Sequence, residues 1–305
     1  MESLVQSVCG EKGLITCHEL YNKLNDGVIH PYVHDPGYML LIDVRLQDCY
    51  LASHILVAKQ WKIIQNDVRC LLNPSGFLEE FTFVIVYDES SKSDNASQDV
   101  TEMLSMLESH GCTNPLVLNG GYQEFLKQYP FLCLDRQYFS ATELETFKTY
   151  PSVIIPGKMY LGNWRHAANK TMLDHLRVSH IVNLTLDDDE LFSGEIKYMT
   201  VRINDSVDTD AYSHFTDVVD FVGSAWDSGC ILIHCKVGVS RSTTFALAFL
   251  MSKYEVLKCS LLSASNLVKI CRAGVWPNET FVHHLLRWEK DLFKKEITKR
   301  EDVWR

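Results

Sequence analysis

The chain has 305 residues, of which 46% are hydrophobic, and its formal net charge at pH 7 is -10. This length and apolar content predict two packed domains and exclude global disorder. The acidic balance, without a long run of Lys and Arg, argues against nucleic acid or an anionic membrane as the main partner.

Targeting and cofactor signals are absent from the sequence. The longest apolar run, around "FALAFLM", is too short to cross a bilayer, so no membrane partner is expected. The first residues, "MESLVQSVCGEKG", have no apolar stretch of signal-peptide length. We therefore expect a cytoplasmic protein whose ten cysteines are mostly reduced thiols. No Cys-x-x-Cys pair occurs, and we expect neither a metal nor another cofactor.

The first part of the chain alternates predicted helices and strands. Thr16 and Glu19 have capping-box spacing before a helix in "ELYNKL". The apolar runs in "YMLLIDVR", "FTFVIVYD" and "PLVLNGG" predict buried strands. The segment "DVTEMLSMLESHG" has helical apolar spacing and ends at Gly111. Strands that alternate with helices indicate an α/β unit with a parallel sheet.

A second set of elements follows a connection in which Ser140 and Glu143 have the spacing to cap a short helix. Strands are predicted in "SVIIPGKMYLGN", "HIVNLTLDDDE", "IKYMTVRIND" and "ILIH", the third of them ending at Asp205. Helices are predicted in "FTDVVDFVGSAW", "STTFALAFLM", "SLLSASNLVKIC" and "NETFVHHLLRWEKDLF", the last beginning after an Asn278 cap. A second α/β unit is therefore predicted.

The stretch "ILIHCKVGVSRS" contains the clearest chemical signal, a cysteine between a buried strand and a helix that starts near Arg241. Gly238 allows the intervening loop to curl, so that consecutive backbone N–H groups form an anion nest at a helix N-terminus. Arg241 adds a planar fork of donors. The predicted phosphate-binding residues are Lys236, Val237, Gly238, Val239, Ser240 and Arg241. The same field should lower the pKa of Cys235 and make it a nucleophilic thiolate.

A phosphoryl transfer to Cys235 needs an acid for the leaving oxygen. Asp205 is the first choice because its predicted strand end opens on the same sheet edge. Asp208 and Asp210 are rivals, and Asp205 could instead be a helix N-cap.

Two neighbours of the nucleophile have predicted supporting roles. Ser242 is predicted to donate a hydrogen bond to the thiolate when it leaves the phosphocysteine. His234 is predicted to hydrogen-bond the backbone and hold the loop. Cys235 could also be an ordinary buried thiol, but the His, Gly, Arg and Ser around it disfavour that interpretation.

The stretch "HCKVGVSRS" resembles the HCxxGxxR signature of cysteine-dependent protein tyrosine phosphatases, and "AFLM", "MYLGN" and "WPNETF" resemble the dual-specificity subgroup. Upstream, "LLIDVR", "DCYLASHI" and "LNGGYQEF" resemble the rhodanese-like domain that precedes the phosphatase domain in the MAP kinase phosphatase group. The resemblance implies an α/β fold with a rhodanese-like binding domain at residues 1–135 and a linker at 136–150. A dual-specificity phosphatase domain at 151–297 and a tail at 298–305 would follow.

The resemblance leaves more than one function open. The "IIPGK" segment and the overall arrangement also resemble a pseudophosphatase of this group that lacks the cysteine. Because Cys235 is present here, inactivity does not follow. The first hypothesis is a protein phosphatase that acts on phosphotyrosine and phosphoserine/threonine. The alternative is a phosphoprotein-binding scaffold with vestigial activity.

The rhodanese-like half gives weaker functional signals. Active rhodaneses have a cysteine after the strand that corresponds to "VIVY", but this chain has Asp88, which opposes a sulfurtransferase. Asp43 and Arg45 are interpreted as a structural salt bridge. The resemblance implies phosphoprotein partners, with MAP kinases docking on this domain. The matching stretch has only the widely spaced Lys59, Lys62 and Arg69.

Overall fold

The structure, a computed structural model, describes residues 11–28, 30–61, 81–92, 95–136, 146–187, 190–226, 228–252 and 259–304. The chain divides into two compact units, one built mainly from residues before Tyr150 and the other mainly from Tyr150 onward. Ser140 and Glu143, with the short helix expected there, lie outside the described residues. None of the described helices is long and apolar enough to cross a membrane.

The first unit is a parallel sheet with helices. Its strands are β1 (Leu14–Ile15), β2 (Met39–Asp43), β3 (His54–Ile55), β4 (Lys59–Gln60), β5 (Phe83–Tyr87), β6 (Leu116–Leu118) and β7 (Cys133–Leu134). Its helices are α1 (Cys17–Leu24), α2 (Gln47–Ala52), α3 (Gln98–Ser109) and α4 (Gly121–Gln128). The main sheet has the order β1-β6-β5-β2-β4, with every pair parallel. Strands β3 and β7 form a separate antiparallel pair.

Local sequence signals account for these elements. The Thr16 hydroxyl accepts a hydrogen bond from the Glu19 N–H at 3.1 Å, so Thr16 caps α1 as predicted. Ser97 caps α3 in the same way through the Val100 N–H. Strands β2 and β5 are neighbours in the middle of the sheet and are almost wholly buried, which explains why they read as continuous apolar runs.

The second unit is also built on a mostly parallel sheet. Its strands are β8 (Ser152–Ile155), β9 (Met159–Asn163), β10 (Val178–Asn183), β11 (Lys197–Thr200) and β12 (Cys230–Cys235). Its helices are α5 (Trp164–Ala167), α6 (Lys170–His175), α7 (Phe215–Trp226), α8 (Arg241–Met251), α9 (Leu261–Cys271) and α10 (Glu279–Phe293). The sheet has the order β11-β10-β12-β9-β8, and only the β8–β9 hairpin within it is antiparallel.

The centre of this sheet positions the cysteine. Strand β12 pairs with β9 and β10, and its last residues align Asn183 with His234 and Cys235 with Asn163. The strand is followed by α8, whose residues 242–251 are all buried. Burial on every side places this helix in the core of the unit. The carboxyl ends of three parallel strands therefore meet at Cys235.

The strand expected to reach Asp205 ends earlier, at Thr200. Its ladder with β10 stops where β10 itself ends, at Asn183. Val201 makes one further hydrogen bond to the Asn183 carbonyl at 2.8 Å, and irregular backbone then leads to Asp205. The prediction of a strand up to Asp205 was therefore wrong at its end.

The segment expected to be a tail, 298–305, packs on the second unit as far as it is described. Thr298, Val303 and Trp304 are buried. The Trp304 indole N–H donates to the Val275 carbonyl at 3.1 Å, and the Thr298 N–H donates to the buried carboxylate of Glu289 at 2.9 Å. The buried side chains of Val303 and Trp304 contribute to the packing of this segment.

Candidate active site

The loop between β12 and α8 surrounds the sulfur of Cys235. Residues 236–240 form this loop, and Gly238 has a φ of 82° at its turn. A Cβ at this position would lie 2.6 Å from the Gly162 carbonyl oxygen. Only glycine meets both the backbone conformation and the close approach. The curl expected from the sequence is therefore present.

The thiol of Cys235 is held by hydrogen-bond donors. It is 1% exposed, and its Sγ accepts a hydrogen bond from the Gly238 N–H at 3.2 Å and lies 3.3 Å from the Ser242 hydroxyl oxygen. Burial alone would raise the pKa of Cys235. The hydrogen bonds from Ser242 and Gly238, with the charge of Arg241, outweigh burial and lower the pKa below its ordinary value. The geometry therefore favours a thiolate.

Arg241 is anchored by one nitrogen and leaves another available. Its Nη1 donates to the carbonyl oxygens of Leu184 and Ile203, each at 3.0 Å. Its Nε is buried and has no hydrogen-bond partner among the described residues. A buried donor without a partner is costly, and an oxyanion above the sulfur would satisfy it.

Asp205 lies at the mouth of the same pocket. Its Oδ1 accepts hydrogen bonds from the Ser240 hydroxyl at 2.7 Å and the Asn278 side-chain amide at 2.9 Å. Its Oδ2 lies 3.9 Å from the Arg241 Nε. The pocket is lined by Asp205, Cys235, Val237, Val239, Ser240, Arg241, Trp276 and Asn278. Asp205 thus reaches the reaction site from a different loop.

The rival carboxylates are placed elsewhere. Asp208 and Asp210 are exposed and do not line this pocket. Asp210 accepts a hydrogen bond from the Ser213 N–H at 3.2 Å, beside the short helical turn Tyr212–His214.

His234 was expected to hydrogen-bond the backbone and hold the loop. Its imidazole is buried, and neither ring nitrogen has a hydrogen bond within the part of the chain that is described. The Cys235 backbone acts on the ring in the direction that raises the pKa of His234, but burial has the larger effect. The His234 carbonyl accepts a hydrogen bond from the Leu184 N–H at 3.0 Å. Burial lowers the pKa of His234 to about 4, so the ring is neutral at pH 7.

Sequence reasoning missed two supports of the loop. Arg272 is fully buried, and it donates from Nε to the Gly238 carbonyl at 2.9 Å and from Nη1 to the Ser152 hydroxyl at 3.1 Å. The backbone N–H of Trp276 donates to the Val239 carbonyl at 3.0 Å. A single arginine at the end of the apolar helix segment "NLVKICR" was the available signal for the first of these.

The predicted phosphate-binding residues are brought together as one loop, but their side chains diverge. Val237, Val239 and Ser240 line the Cys235 pocket, whereas Lys236 lines a neighbouring cavity. The Ser240 hydroxyl is turned to Asp205. An oxyanion in this loop would therefore be bound by backbone N–H groups and Arg241, not by the lysine ammonium.

The first unit has no comparable nucleophile at the expected place. Asp88 follows β5, and its Oδ1 accepts from the N–H groups of Ser90 and Ser91 at 3.1 and 2.7 Å. Its own carboxylate thus uses the backbone donors that an anionic substrate would need. The arrangement does not favour a sulfurtransferase.

The other predictions for this unit have separate outcomes. The Arg45 guanidinium pairs with the buried Asp43 carboxylate at 2.8 Å, so the structural salt bridge is confirmed. Lys59 is exposed on β4. Lys62 and Arg69 lie outside the described residues.

Comparison with known protein families gives two matches along the chain. Residues 16–128 match the rhodanese-like domain, and residues 159–291 match the dual specificity phosphatase catalytic domain. The first match falls mainly in the first compact unit, and the second match falls within the second compact unit.

Individual known proteins are also similar to this chain. Human "Dual specificity protein phosphatase 4" is 30% identical over 287 residues, which cover 85% of this chain and 71% of that protein. The "Probable rhodanese domain-containing dual specificity protein phosphatase" of Dictyostelium discoideum is 32% identical over 189 residues, which cover 58% of this chain and 39% of that protein. Among solved structures, human tyrosine phosphatase-like serine/threonine/tyrosine-interacting protein is 25% identical, with a TM-score of 0.43, over 47% of this chain and 98% of that one.

Proposed function

Because the chain belongs to the dual-specificity protein phosphatase family, we propose that it hydrolyses phosphotyrosine and phosphoserine/threonine in proteins through a phosphocysteine. The observation that carries this proposal is the setting of the Cys235 sulfur. It accepts a backbone hydrogen bond at 3.2 Å, in a pocket that is also lined by Asp205 and by Arg241, whose buried Nε has no hydrogen bond among the described residues. A buried but activated thiol with an adjacent oxyanion donor and acid suits phosphoryl transfer.

In the first step, the Cys235 thiolate attacks phosphorus and the bond from phosphorus to the substrate oxygen breaks. Arg241 and the backbone N–H groups of residues 236–240 bind the equatorial oxygens of the phosphoryl group, where charge is spread in the transition state. Protonated Asp205 gives its proton to the leaving oxygen. The products are the free hydroxyl of the substrate and a phosphocysteine.

In the second step, the Asp205 carboxylate accepts a proton from water, and the resulting nucleophile attacks the phosphocysteine. The S–P bond breaks, and inorganic phosphate and the Cys235 thiolate are released. The Ser242 hydroxyl, 3.3 Å from Sγ, donates a hydrogen bond to the sulfur as its negative charge returns. The acid of the first step is regenerated in the second.

The substrates in this proposal are phosphoproteins, and MAP kinases are included because the first unit matches a rhodanese-like domain. Lys59 is the exposed basic residue of the proposed docking stretch that lies within the described residues. A Lys59→Glu variant should bind a MAP kinase more weakly than the parent chain in a direct binding titration.

We place the protein in the cytoplasm, where its described cysteines, all free, would stay reduced.

The proposed function is tested by hydrolysis of an aryl phosphate by the purified full chain in EDTA. We expect turnover that vanadate inhibits and that Cys235→Ser reduces by about a thousandfold or more, as removal of a nucleophile does elsewhere. Wild-type protein without turnover, or a Cys235→Ser variant as active as wild type, would contradict the proposal. Phosphopeptide binding that persists without turnover would instead support the scaffold hypothesis.

A further inference from the structure

A second cavity of about 270 Å³ lies beside the Cys235 pocket. We call it the side pocket and define it by Trp164, Ala168, Asp187, Leu191, His234 and Lys236, which are among its lining residues. It is smaller than the roughly 300–1,000 Å³ of a site for a drug-sized ligand and has room for one aromatic side chain. The proposed function does not use it.

The side pocket and the Cys235 pocket have a common wall. His234 and Lys236 line the side pocket, while Cys235 and Val237, which alternate with them along the chain, line the other. Adjacent residues of one chain are about 3.8 Å apart. A peptide whose phosphorylated residue enters the Cys235 pocket therefore passes the side pocket within a few residues.

One side of the side pocket is apolar. Trp164 is 47% exposed and Leu191 is 56% exposed, although large apolar side chains usually lose most of their exposure on folding. Ala168, beside them, is small and leaves the cavity open. An exposed indole face and an aliphatic side chain around a cavity suit an occupant with an apolar, flat body.

The inner wall is polar but neutral. His234 is 4% exposed, and both of its ring nitrogens lack a hydrogen-bond partner within the described ranges. Its ring is neutral at pH 7, so it carries one donor and one acceptor. Asp187 and Lys236 place one charge of each sign on the lining, which gives no net preference for an ion. The polar end of the occupant should therefore be an uncharged hydrogen-bonding group.

We propose that the side pocket binds the side chain of a tyrosine that lies near the phosphorylated residue of a peptide substrate. The ring packs on Trp164 and Leu191, and the hydroxyl reaches His234, which satisfies a buried ring nitrogen. This inference rests on the proposed function, since it assigns a substrate class to the same site. In this proposal, the loop around Cys235 separates the pocket that binds phosphate from the pocket that determines specificity.

The test measures binding to the Cys235→Ser variant, so that it does not depend on turnover. Phosphotyrosine peptides on an alanine background carry Tyr, Phe or Ala at each position within about three residues of the phosphotyrosine, the reach set by the chain spacing. At one of these positions we expect Tyr to bind about tenfold more tightly than Ala, with Phe between them. Equal affinities at every position would overturn the proposal.

Two further variants locate the preference. Ala168→Phe, added to Cys235→Ser, fills the cavity and should abolish the preference for Tyr over Ala. Ser224→Phe adds the same ring at an exposed position of α7, away from the cavity, and should keep the preference. If Ala168→Phe is not folded by circular dichroism, Trp164→Ala replaces it and should also reduce the preference. A preference that survives these changes would contradict the side-pocket assignment.

The two proposals fail separately. Wild-type protein that shows the Tyr preference in binding but no hydrolysis of an aryl phosphate would remove the enzyme and keep the side pocket. Hydrolysis of the aryl phosphate without any Tyr preference in binding would support the enzyme and contradict the side-pocket proposal.

Discussion

Ser240 and Ser242 lie two residues apart and have different partners. The Ser242 hydroxyl is 3.3 Å from the Cys235 sulfur, and it is the first of the groups that lower the pKa of this thiol against burial. The Ser240 hydroxyl points the other way, to Asp205, and accepts from the Asn278 N–H at 3.2 Å. Ser242 thus contacts the proposed nucleophile, and Ser240 connects the Cys235 loop to the proposed acid.

Removal of the Ser242 hydroxyl should raise the pKa of Cys235. The thiolate is the reactive form, so the rate of alkylation of Cys235 by iodoacetamide rises as pH rises through that pKa. In Ser242→Ala one stabilising donor is lost while burial remains, and the midpoint of the alkylation profile should move to higher pH. Mass mapping of Cys235 gives the rate at each pH.

The matched control is Ser240→Ala, whose hydroxyl contacts Asp205 and not the sulfur. Its alkylation midpoint should stay closer to that of wild type than the Ser242→Ala midpoint does. If Ser242→Ala has the wild-type midpoint, the Ser242 contact does not stabilise the thiolate.

The role of Asp205 as the acid predicts a dependence on the leaving group. Asp205→Asn should slow hydrolysis of an alkyl phosphate by about a hundredfold or more, because an alkoxide leaves poorly without a proton. An acidic phenol needs less protonation and should be slowed less. The measurement is kcat/KM for wild type and variant across a series of phosphate esters. Asp208→Asn is the control, and the same dependence on leaving group in that variant would mean that Asp208 is the acid.

At the scale of secondary structure, the elements that sequence reasoning found have strong local signals. Strand β12 is a largely apolar, buried run, and α8 is apolar from Phe245 to Met251. Helix α10 begins after Asn278, whose side chain accepts from the Phe281 N–H at 2.9 Å. These signals depend only on residues that are close in sequence. The elements could therefore be predicted without knowledge of the tertiary structure.

The elements that were missed have physical reasons. Val201 and Ile203 are buried, so the apolar alternation continues after Thr200 although the β-ladder has stopped. The alternation of apolar residues reflects side-chain burial and does not depend on hydrogen bonding between strands. The prediction from sequence therefore placed the end of β11 too far along the chain. Helices α5 and α6 have four and six residues, which is too short for a helical period to repeat.

The C-terminal segment gives a prediction about stability. Trp304→Ala should lower the free energy of unfolding of the second unit by about 3–5 kcal/mol, the usual cost of truncating a buried aromatic residue. The variant also leaves the Val275 carbonyl without its indole donor. Urea denaturation followed by circular dichroism measures the change.

Trp276→Ala is the control for that experiment, because Trp276 is 54% exposed. Its cost should be no more than about 1 kcal/mol, as at other exposed positions. Equal stabilities for Trp304→Ala and wild type would mean that the segment contributes nothing to the fold.

At the scale of the whole molecule, the chemistry is unequally divided between the two units. In the first, the Asp88 carboxylate accepts the backbone donors after β5. In the second, the corresponding strand ends at Cys235, and the Gly238 N–H donates to its sulfur and not to a carboxylate. Two α/β units thus place different groups at the carboxyl end of a central strand, and the proposed nucleophile belongs to the second.

The sequence could predict the nucleophile, its loop and Arg241, because they are consecutive. It could not predict that Arg272 supports the Gly238 carbonyl from 34 residues away, or that Asn278 binds Asp205 across 73 residues. Such contacts are set by the packing of α9 and α10, which local pattern does not determine. The side pocket could not be predicted either, because Trp164 and Leu191 are distant in sequence and line the same cavity only in the folded chain.

The central claim is that Cys235 becomes phosphorylated during turnover. The direct measurement is rapid acid quenching of the Ser242→Ala variant with an aryl phosphate, followed by peptide mass mapping. Loss of the Ser242 donor should slow breakdown of the intermediate, so the peptide that contains Cys235 should carry one phosphoryl group. A phosphoryl group on another residue, or continued hydrolysis with an unmodified Cys235 peptide at every quench time, would contradict the account.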